Sequence, residues 1–354
     1  MRPLLPPFAG EGAETKSRRM RAVPLGTSAL IRPSPTRRAP SPASAGEGGA
    51  PPHHANWYRR KRTREAALIA CFLAPSLTIF FLYRILPLAW NVVLSFEYWS
   101  PLKPARFAGL DNYAEMLFED DVFWQALTNT LIFVAASPLA IALALAIALA
   151  VNSDLKGASI YRTIVFLSYP LMTVAVGIVW RWLYDERGGF INFVLRGAGL
   201  IKDPIPFLQS FEWALPSVIV AEIWQVLGFY MIVLLTGLQS IPQHLYEAAR
   251  IDGAPAGARF WRITLPMLRP SLFICAVIGI LNSFTAFDLV YVMTGGGPAH
   301  ATELLVTHIY NKGFGETRFD YAAALTVVQF LLLLVLTFLA NRAAGGNAGS
   351  MEAG

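Results

Sequence analysis

LYEAARIDGA, Leu245–Ala254, is a stretch of small and charged residues between two long apolar segments. Its alanines and glutamate favour a helix, and Gly253 is placed to end that helix in the left-handed conformation that glycine adopts at little cost. Upstream, Ser240 offers a hydroxyl for the N-terminal cap, and Pro242 would lie in the first turn, where its missing N–H is tolerated. The pattern predicts a short, bounded helix outside the membrane. On residue chemistry alone, a solvated amphipathic helix without a partner is an open alternative.

The composition of the remaining chain indicates a membrane protein. Of 354 residues, 55% are apolar and 15% are charged, which leaves too little polar surface to cover a water-soluble globule of this size. Two uncharged runs, Leu131–Val151 and Tyr321–Asn341, are each 21 residues long. A helix of about 20 apolar residues crosses a bilayer.

Six apolar segments are predicted to span the membrane, so the expected fold is an all-α polytopic membrane protein. They are Ala66–Tyr83, Trp124–Val151, Thr163–Tyr184, Trp213–Ile241, Ser271–Met293 and Tyr321–Asn341. The basic cluster WYRRKRTR, Trp57–Arg64, stands beside the first span, and such clusters stay in the cytoplasm. Six crossings then place both termini in the cytoplasm.

The predicted spans divide the chain into four parts. Residues 1–56 are rich in Pro, Ala, Gly, Ser and Arg and are predicted to form a disordered cytoplasmic tail. There are two alternatives: the segment is a transit peptide, or the start codon is assigned too early and Met20 or a later site is the true start. Residues 57–122 hold the first span and an outer loop, residues 123–342 form the main transmembrane domain with the loop of residues 240–270, and residues 343–354 form a short cytoplasmic tail.

Several function classes are excluded by charge and motif content. The formal net charge of +6 comes from residues 1–64, which hold 13 Lys and Arg against three acids, whereas the rest holds 16 bases and 20 acids. No folded basic surface for nucleic acid is therefore expected. Cys71 and Cys275 fall in apolar runs and form no metal-ligand pattern. No GxxxxGK[ST] motif occurs, so the chain is not predicted to hydrolyse ATP, and no catalytic residues, cofactor or metal are predicted.

One spacing pattern resembles the EAA motif of permease subunits of binding-protein-dependent ABC importers. It consists of Glu247, Ala248 and Ala249, then Gly253, and then ITLP at Ile263–Pro266. The stretches FAGLDNYAEML, RTIVFLSYPLMTVAVGIVWRWLYD and FDLVYVMTGGGP are similar to those of the carbohydrate-uptake, MalF-like branch. The resemblance covers roughly residues 68–342. It implies the six-helix type I importer permease (MetI-like) fold in a bacterial inner membrane.

The resemblance implies that the LYEAARIDGA helix couples transport to a separate ATPase. The residues expected to carry this coupling are Glu247, Ala248, Ala249, Asp252 and Gly253. The implied partners are a second permease subunit, most simply in a heterodimer, two ABC ATPase subunits, an extracytoplasmic solute-binding protein and a carbohydrate substrate.

Polar residues inside spans are costly and commonly face a cavity. A sugar needs hydroxyl partners and flat apolar faces, and positions similar to the pocket of maltose-type relatives supply them; these substrate-pathway candidates are Gln225, Phe229, Asn282, Ser283 and Phe284. Each could instead be a structural hydrogen-bonding or packing residue between helices.

Two carboxylates in the spans, Glu222 and Asp288, leave a second function open. In a stand-alone secondary carrier driven by an ion gradient, one of them would be the coupling site. The expectation for Asp288 is instead a structural ion pair with Arg181 or Arg187.

Overall fold

The computed structural model describes residues 54–101, 103–152 and 157–343. Residues 1–53 of the predicted N-terminal tail and residues 344–354 of the predicted C-terminal tail therefore lie outside the described residues. The chain forms two units, Met1–Ala67 and Leu68–Gly354. In the first unit the described part, from residue 54 onward, is the start of a helix; the rest of the description concerns the second unit.

The first span is longer than predicted. Helix α1 (His54–Phe80) continues through a π-helical turn (Phe81–Ile85) into α2 (Leu86–Leu94), and the membrane-length part is Leu68–Leu94. The predicted end at Tyr83 was wrong because the helix passes Arg84 without interruption; a single arginine ends an apolar run in the sequence but does not break a helix.

An outer hairpin follows the first span. Strands β1 (Glu97–Ser100) and β2 (Lys103–Phe107) pair antiparallel, with Tyr98 opposite Arg106. Helix α3 (Asp111–Phe118) then leads into the second span, α4 (Asp121–Val151), whose N-terminus is capped by the Asp120 side chain at Phe123 N (3.1 Å).

The third predicted span is not one helix. It consists of α5 (Ala158–Phe166) and α6 (Thr173–Leu183), separated by a turn. Pro170 explains the break, because proline lacks an N–H and disfavours helical backbone in the residue before it. Helix α7 (Phe190–Gly197) follows outside the spans.

The fourth span, α8 (Ala214–Gln239), is the central helix, and half of its most apolar window is buried. It packs on α4 and on α5. At Gly228 an added Cβ would lie 2.5 Å from the carbonyl oxygen of Val165 in α5. Glycine is therefore required there for the two backbones to approach this closely.

The LYEAARIDGA stretch forms α9 (Gln243–Ile251). The predicted N-cap was wrong: Ser240 follows α8 as its C-terminal cap, and its hydroxyl donates to the carbonyl of Gly237 (2.7 Å). Pro242 precedes the helix in extended conformation and does not lie in its first turn. The left-handed end is confirmed, since Gly253 has φ +72°.

The fifth predicted span is bent and broken. Helix α10 (Ala256–Arg259), a π-helical turn (Phe260–Thr264) and α11 (Leu265–Met267) meet α12 (Arg269–Thr285) at an angle of 64°. After Thr285 the chain makes an inverse γ-turn, with Ala286 at φ −71°, ψ 69° and Phe287 N donating to Thr285 O (2.8 Å). Helix α13 (Asp288–Met293) starts beyond this break.

The C-terminal part contains α14 (Leu305–Tyr310), a π-helical turn (Asn311–Gly315) and the last span, α15 (Phe319–Ala343). Within the described residues, four helices are long and apolar enough to cross a membrane, or five if the bent pair is one span. The predicted count of six continuous spans is thus not confirmed, because apolar length does not reveal where a helix breaks. The core consists of three buried clusters, which join α4, α8 and α12, then α6, α8 and α13, then α3, α4 and α15.

Candidate functional site

Helix α9 presents most of its charged and small residues to solvent. Glu247, Ala248, Asp252 and Gly253 are exposed and Ala249 is half-buried. Ile251 is 87% exposed. The described part of the chain supplies the Glu247 side chain with neither a hydrogen bond nor an ion pair. The outer face of α9 is therefore free to meet another surface.

The opposite face of α9 is anchored to the spans. Leu245 and Tyr246 pack against the core cluster of α4, α8 and α12, and the Tyr246 hydroxyl lies 2.9 Å from Thr264 Oγ1. Two backbone hydrogen bonds close the C-terminal end: Gly253 N to Arg250 O (3.0 Å) and Ala254 N to Ala249 O (2.9 Å). This is the Schellman arrangement, and it fixes the direction in which the chain leaves the helix.

A cavity of about 300 Å³ lies where the two broken spans face α8. One wall comes from the turn between α5 and α6, another from the break between α12 and α13. Its polar and aromatic lining residues are Tyr169, Thr173, Glu222, Gln225, Asn282, Thr285, Phe287 and Asp288. Non-helical backbone inside a membrane protein is tolerated where it lines such a cavity.

Gln225 connects α8 to the interrupted third span in the cavity wall. Its Nε2 donates to the carbonyl of Leu171 (3.2 Å) and to Thr173 Oγ1 (3.1 Å). Both partners belong to the interrupted third span, so the amide fastens the break to α8. Gln225 is 6% exposed, and its Oε1 receives no hydrogen bond from the residues that the structure describes.

The other four substrate-pathway candidates divide into two groups. Asn282 lines the cavity, and Phe229 lies behind it, stacked on the lining ring of Tyr169 at a centroid distance of 4.8 Å. Ser283 and Phe284 are turned away from the cavity: the Ser283 hydroxyl donates to Gly279 O (2.8 Å), and Phe284 is buried against α3, α4 and α15. Residues 282 and 285 share one face of α12, whereas 283 and 284 face the packing side.

Four lining residues are absent from the predicted substrate-pathway set: Tyr169, Thr173, Thr285 and Phe287. Tyr169 and Phe287 lie in or beside helix breaks, and apolar spacing along an assumed continuous helix does not place them. Pro170 was the available signal for the first break. Glu222 and Asp288 also line the cavity, but the expected ion pair of Asp288 with Arg181 or Arg187 is not formed in the described chain.

Beyond the cavity, a buried polar network connects α4, α14 and α15. His308 Nε2 lies 2.9 Å from Asp120 Oδ2, and His308 Nδ1 lies 3.1 Å from Glu303 Oε1. Tyr321 donates to Asp120 (2.7 Å), and His300 also contacts Glu303. His300 and His308 thus contact the same carboxylate from two positions that are eight residues apart.

The two carboxylates of this network are held ionised. Burial by itself would raise the pKa of Asp120, but hydrogen bonds from Tyr321 and His308 outweigh it and lower that pKa. Burial opposes the charge of Glu303 likewise, yet hydrogen bonds from His308, His300 and Asn311 lower the pKa of its carboxyl. Across residues 54–101, 103–152 and 157–343, no three His, Cys, Asp or Glu side chains are arranged as metal ligands.

Apolar helices around a polar cavity, together with an exposed capped helix anchored on those spans, define a membrane-embedded transport subunit. Residues 136–345 match the binding-protein-dependent transport system inner membrane component. The chain belongs to this family, whose members are the permease components of ABC importers and whose ATPase is a separate subunit. Membership favours this role over a stand-alone ion-coupled carrier.

Individual relatives match over most of their length. The chain is 34% identical over 272 residues to the probable ABC transporter permease protein YurN of Bacillus subtilis, covering 76% of this chain and 92% of the relative. It is 33% identical over 348 residues to the diacetylchitobiose uptake system permease protein NgcF of Streptomyces coelicolor, covering 93% and 94%. A solved bacterial ABC transporter that imports the acidic polysaccharide alginate superposes with a TM-score of 0.70 at 27% identity, covering 82% of this chain and 99% of that one.

Proposed function

We propose that this chain is the permease subunit through which an ATP-driven importer carries a carbohydrate across the bacterial inner membrane. The observation that carries the proposal is the exposed, glycine-capped α9, whose Glu247 side chain has no partner among the described residues, in a chain whose relatives include carbohydrate permeases. The proposed topology has six crossings, of which the third and the fifth are broken spans. It places both termini in the cytoplasm. The basic cluster Trp57–Arg64 supports that orientation.

In this assembly α9 docks on one of two ABC ATPase subunits. A second permease completes the pathway, and an extracytoplasmic binding protein delivers the solute. Because Tyr246 and Leu245 fasten α9 to the spans, movement of the ATPase surface would be passed on to α8 and α12. Nucleotide and solute switch the pathway only if each binds one arrangement better than the other.

The cavity beside α8 is the proposed solute path. Gln225 and Asn282 supply amide groups for sugar hydroxyls, and Tyr169, backed by Phe229, supplies a flat ring on which a sugar can stack. Ser283 and Phe284 would support this wall from behind.

Reconstitution in liposomes tests the proposal. The purified chain should take up no member of a panel of radiolabelled di- and oligosaccharides by itself, with or without an ion gradient. Uptake of at least one sugar should begin when the second permease, the ATPases, ATP and the binding protein are supplied. Uptake by the chain alone under an ion gradient would overturn the importer assignment.

A further inference from the structure

The charged residues that line the cavity beside α8 are acidic. Glu222 and Asp288 line it, and its lining, within the part of the chain that the structure describes, contains no Lys, Arg or His. Neither carboxyl forms an ion pair or hydrogen bond with the described residues. The arginine of α6, Arg181, is exposed and lies eight residues beyond Thr173, which is about 12 Å along a helix. Neither carboxyl is therefore paired with a cation among the residues that the structure describes.

Gln225 fixes the shape of this cavity. It is almost completely buried, and its Nε2 donates hydrogen bonds to Leu171 O and Thr173 Oγ1, which hold the broken third span against α8. Its Oε1 is closed to solvent and receives no hydrogen bond from the described residues. Among the described residues, the charged groups that a solute meets in this cavity are therefore the carboxylates of Glu222 and Asp288.

We propose that Glu222 and Asp288 determine charge specificity in this pathway: they admit carbohydrates without acidic groups and exclude anionic ones. The inference rests on the proposed solute path and concerns which members of the carbohydrate class can use it. Two carboxylates in a cavity with low-dielectric walls raise the local concentration of cations and lower that of anions. Neutral sugars are unaffected by the charge itself and gain acceptors for their hydroxyl groups.

The proposal separates this chain from the alginate importer that it resembles in fold, because the cargo of that transporter is an acidic polysaccharide. The carboxylates of an acidic polysaccharide would be repelled by ionised Glu222 and Asp288. A neutral sugar would not be repelled.

Charge-selective labelling in the assembled transporter tests the proposal without knowledge of the natural solute. In a background with Cys71→Ser and Cys275→Ala, Thr285→Cys places one thiol in the cavity lining. Its reaction rate at pH 8 is measured with two methanethiosulfonates of similar size, the ethyltrimethylammonium cation and the ethylsulfonate anion. The ratio of the two rates is divided by the same ratio for free 2-mercaptoethanol. We expect a normalised preference for the cation of about tenfold or more.

Charge-neutral variants complete the test. Glu222→Gln and Asp288→Asn should each reduce the preference, and the double variant should bring it close to one. Glu222→Asp keeps the charge and should retain it. Should Glu222→Gln fail to assemble, the exposed Asp288→Asn still reports one of the two charges.

A normalised ratio near one in the parent, or a preference unchanged by the double variant, would overturn the proposal. Labelling does not depend on transport. If the complete transporter takes up sugar but its cavity labels without a charge preference, only this inference is refuted. If the cavity prefers the cation but the chain transports without ATPases, only the importer assignment is refuted.

Discussion

At the scale of single residues, Gly253 decides how the chain leaves α9. Its φ of +72° lies where an L-residue is strained, and an added Cβ there would have no atom within 4 Å. A substitution therefore introduces conformational strain without a clash. The left-handed conformation costs a non-glycine residue about 1 kcal/mol, which is too little to unfold the protein but enough to favour another exit direction.

We expect Gly253→Ala to insert and assemble normally but to lose most of the solute-stimulated ATPase activity. The physical reason is that a changed end of α9 alters its fit to the ATPase surface. The activity is measured in the reconstituted transporter, with the amount of assembled complex determined in parallel. Gly257→Ala is the matched control, because Gly257 also has open space around a Cβ but does not have positive φ. Equal stimulation in both variants would contradict a role for the Gly253 cap.

At the scale of elements, the sequence predicts the continuous spans and misses the breaks. Apolar length located α4, α8 and α15 to within a few residues, because those helices carry no interruption. Pro170 signalled the first break, but at Ala286 neither proline nor glycine marks the γ-turn. The cavity forms between these breaks. Candidates chosen along an assumed straight helix therefore include Gln225 and Asn282, which line the cavity, as well as Ser283 and Phe284, which are turned away from it.

The packing of α5 on α8 gives a prediction at this scale. Gly228→Ala would place a Cβ 2.5 Å from Val165 O and 2.7 Å from Phe166 Cα, and backbone atoms cannot move aside as a flexible side chain can. We expect a loss of about 1–3 kcal/mol of stability, seen as a lower melting temperature of the detergent-purified protein. Gly197→Ala, in a helix with nothing within 4 Å of the added Cβ, should melt like the parent. Equal melting temperatures for the two variants would mean that the backbones do not approach this closely.

At the scale of the whole molecule, the network around His308 joins parts of the chain that are far apart in sequence. Asp120 caps α4, His308 lies in α14, and Tyr321 lies in α15. His308 contacts Asp120 with one ring nitrogen and Glu303 with the other, so a single side chain connects the two carboxylates. The sequence could not predict this arrangement, because Asp120 and His308 are 188 positions apart and no local pattern relates them.

The lowered pKa values of Asp120 and Glu303 give this network a defined pH dependence. Their ordinary values are 3.8 and 4.5. Because the folded-state pKa of each lies lower, the stabilisation is complete above the ordinary values and is lost as the pH falls towards the folded-state values. We therefore expect the melting temperature in detergent to be constant from about pH 7 to pH 5 and to fall steeply below about pH 4.5.

Asp120→Asn separates the charge of Asp120 from its capping role, because asparagine also caps a helix well. The variant should melt at a lower temperature at pH 7, since His308 and Tyr321 lose a charged acceptor, and its further loss between pH 5 and pH 3 should be smaller than that of the parent. Asp121→Asn is the matched control: the neighbouring Asp121 is exposed, so that variant should follow the parent curve. If Asp120→Asn and the parent lose stability in parallel down to pH 3, the acid sensitivity arises elsewhere and the ionised network does not hold α4, α14 and α15 together.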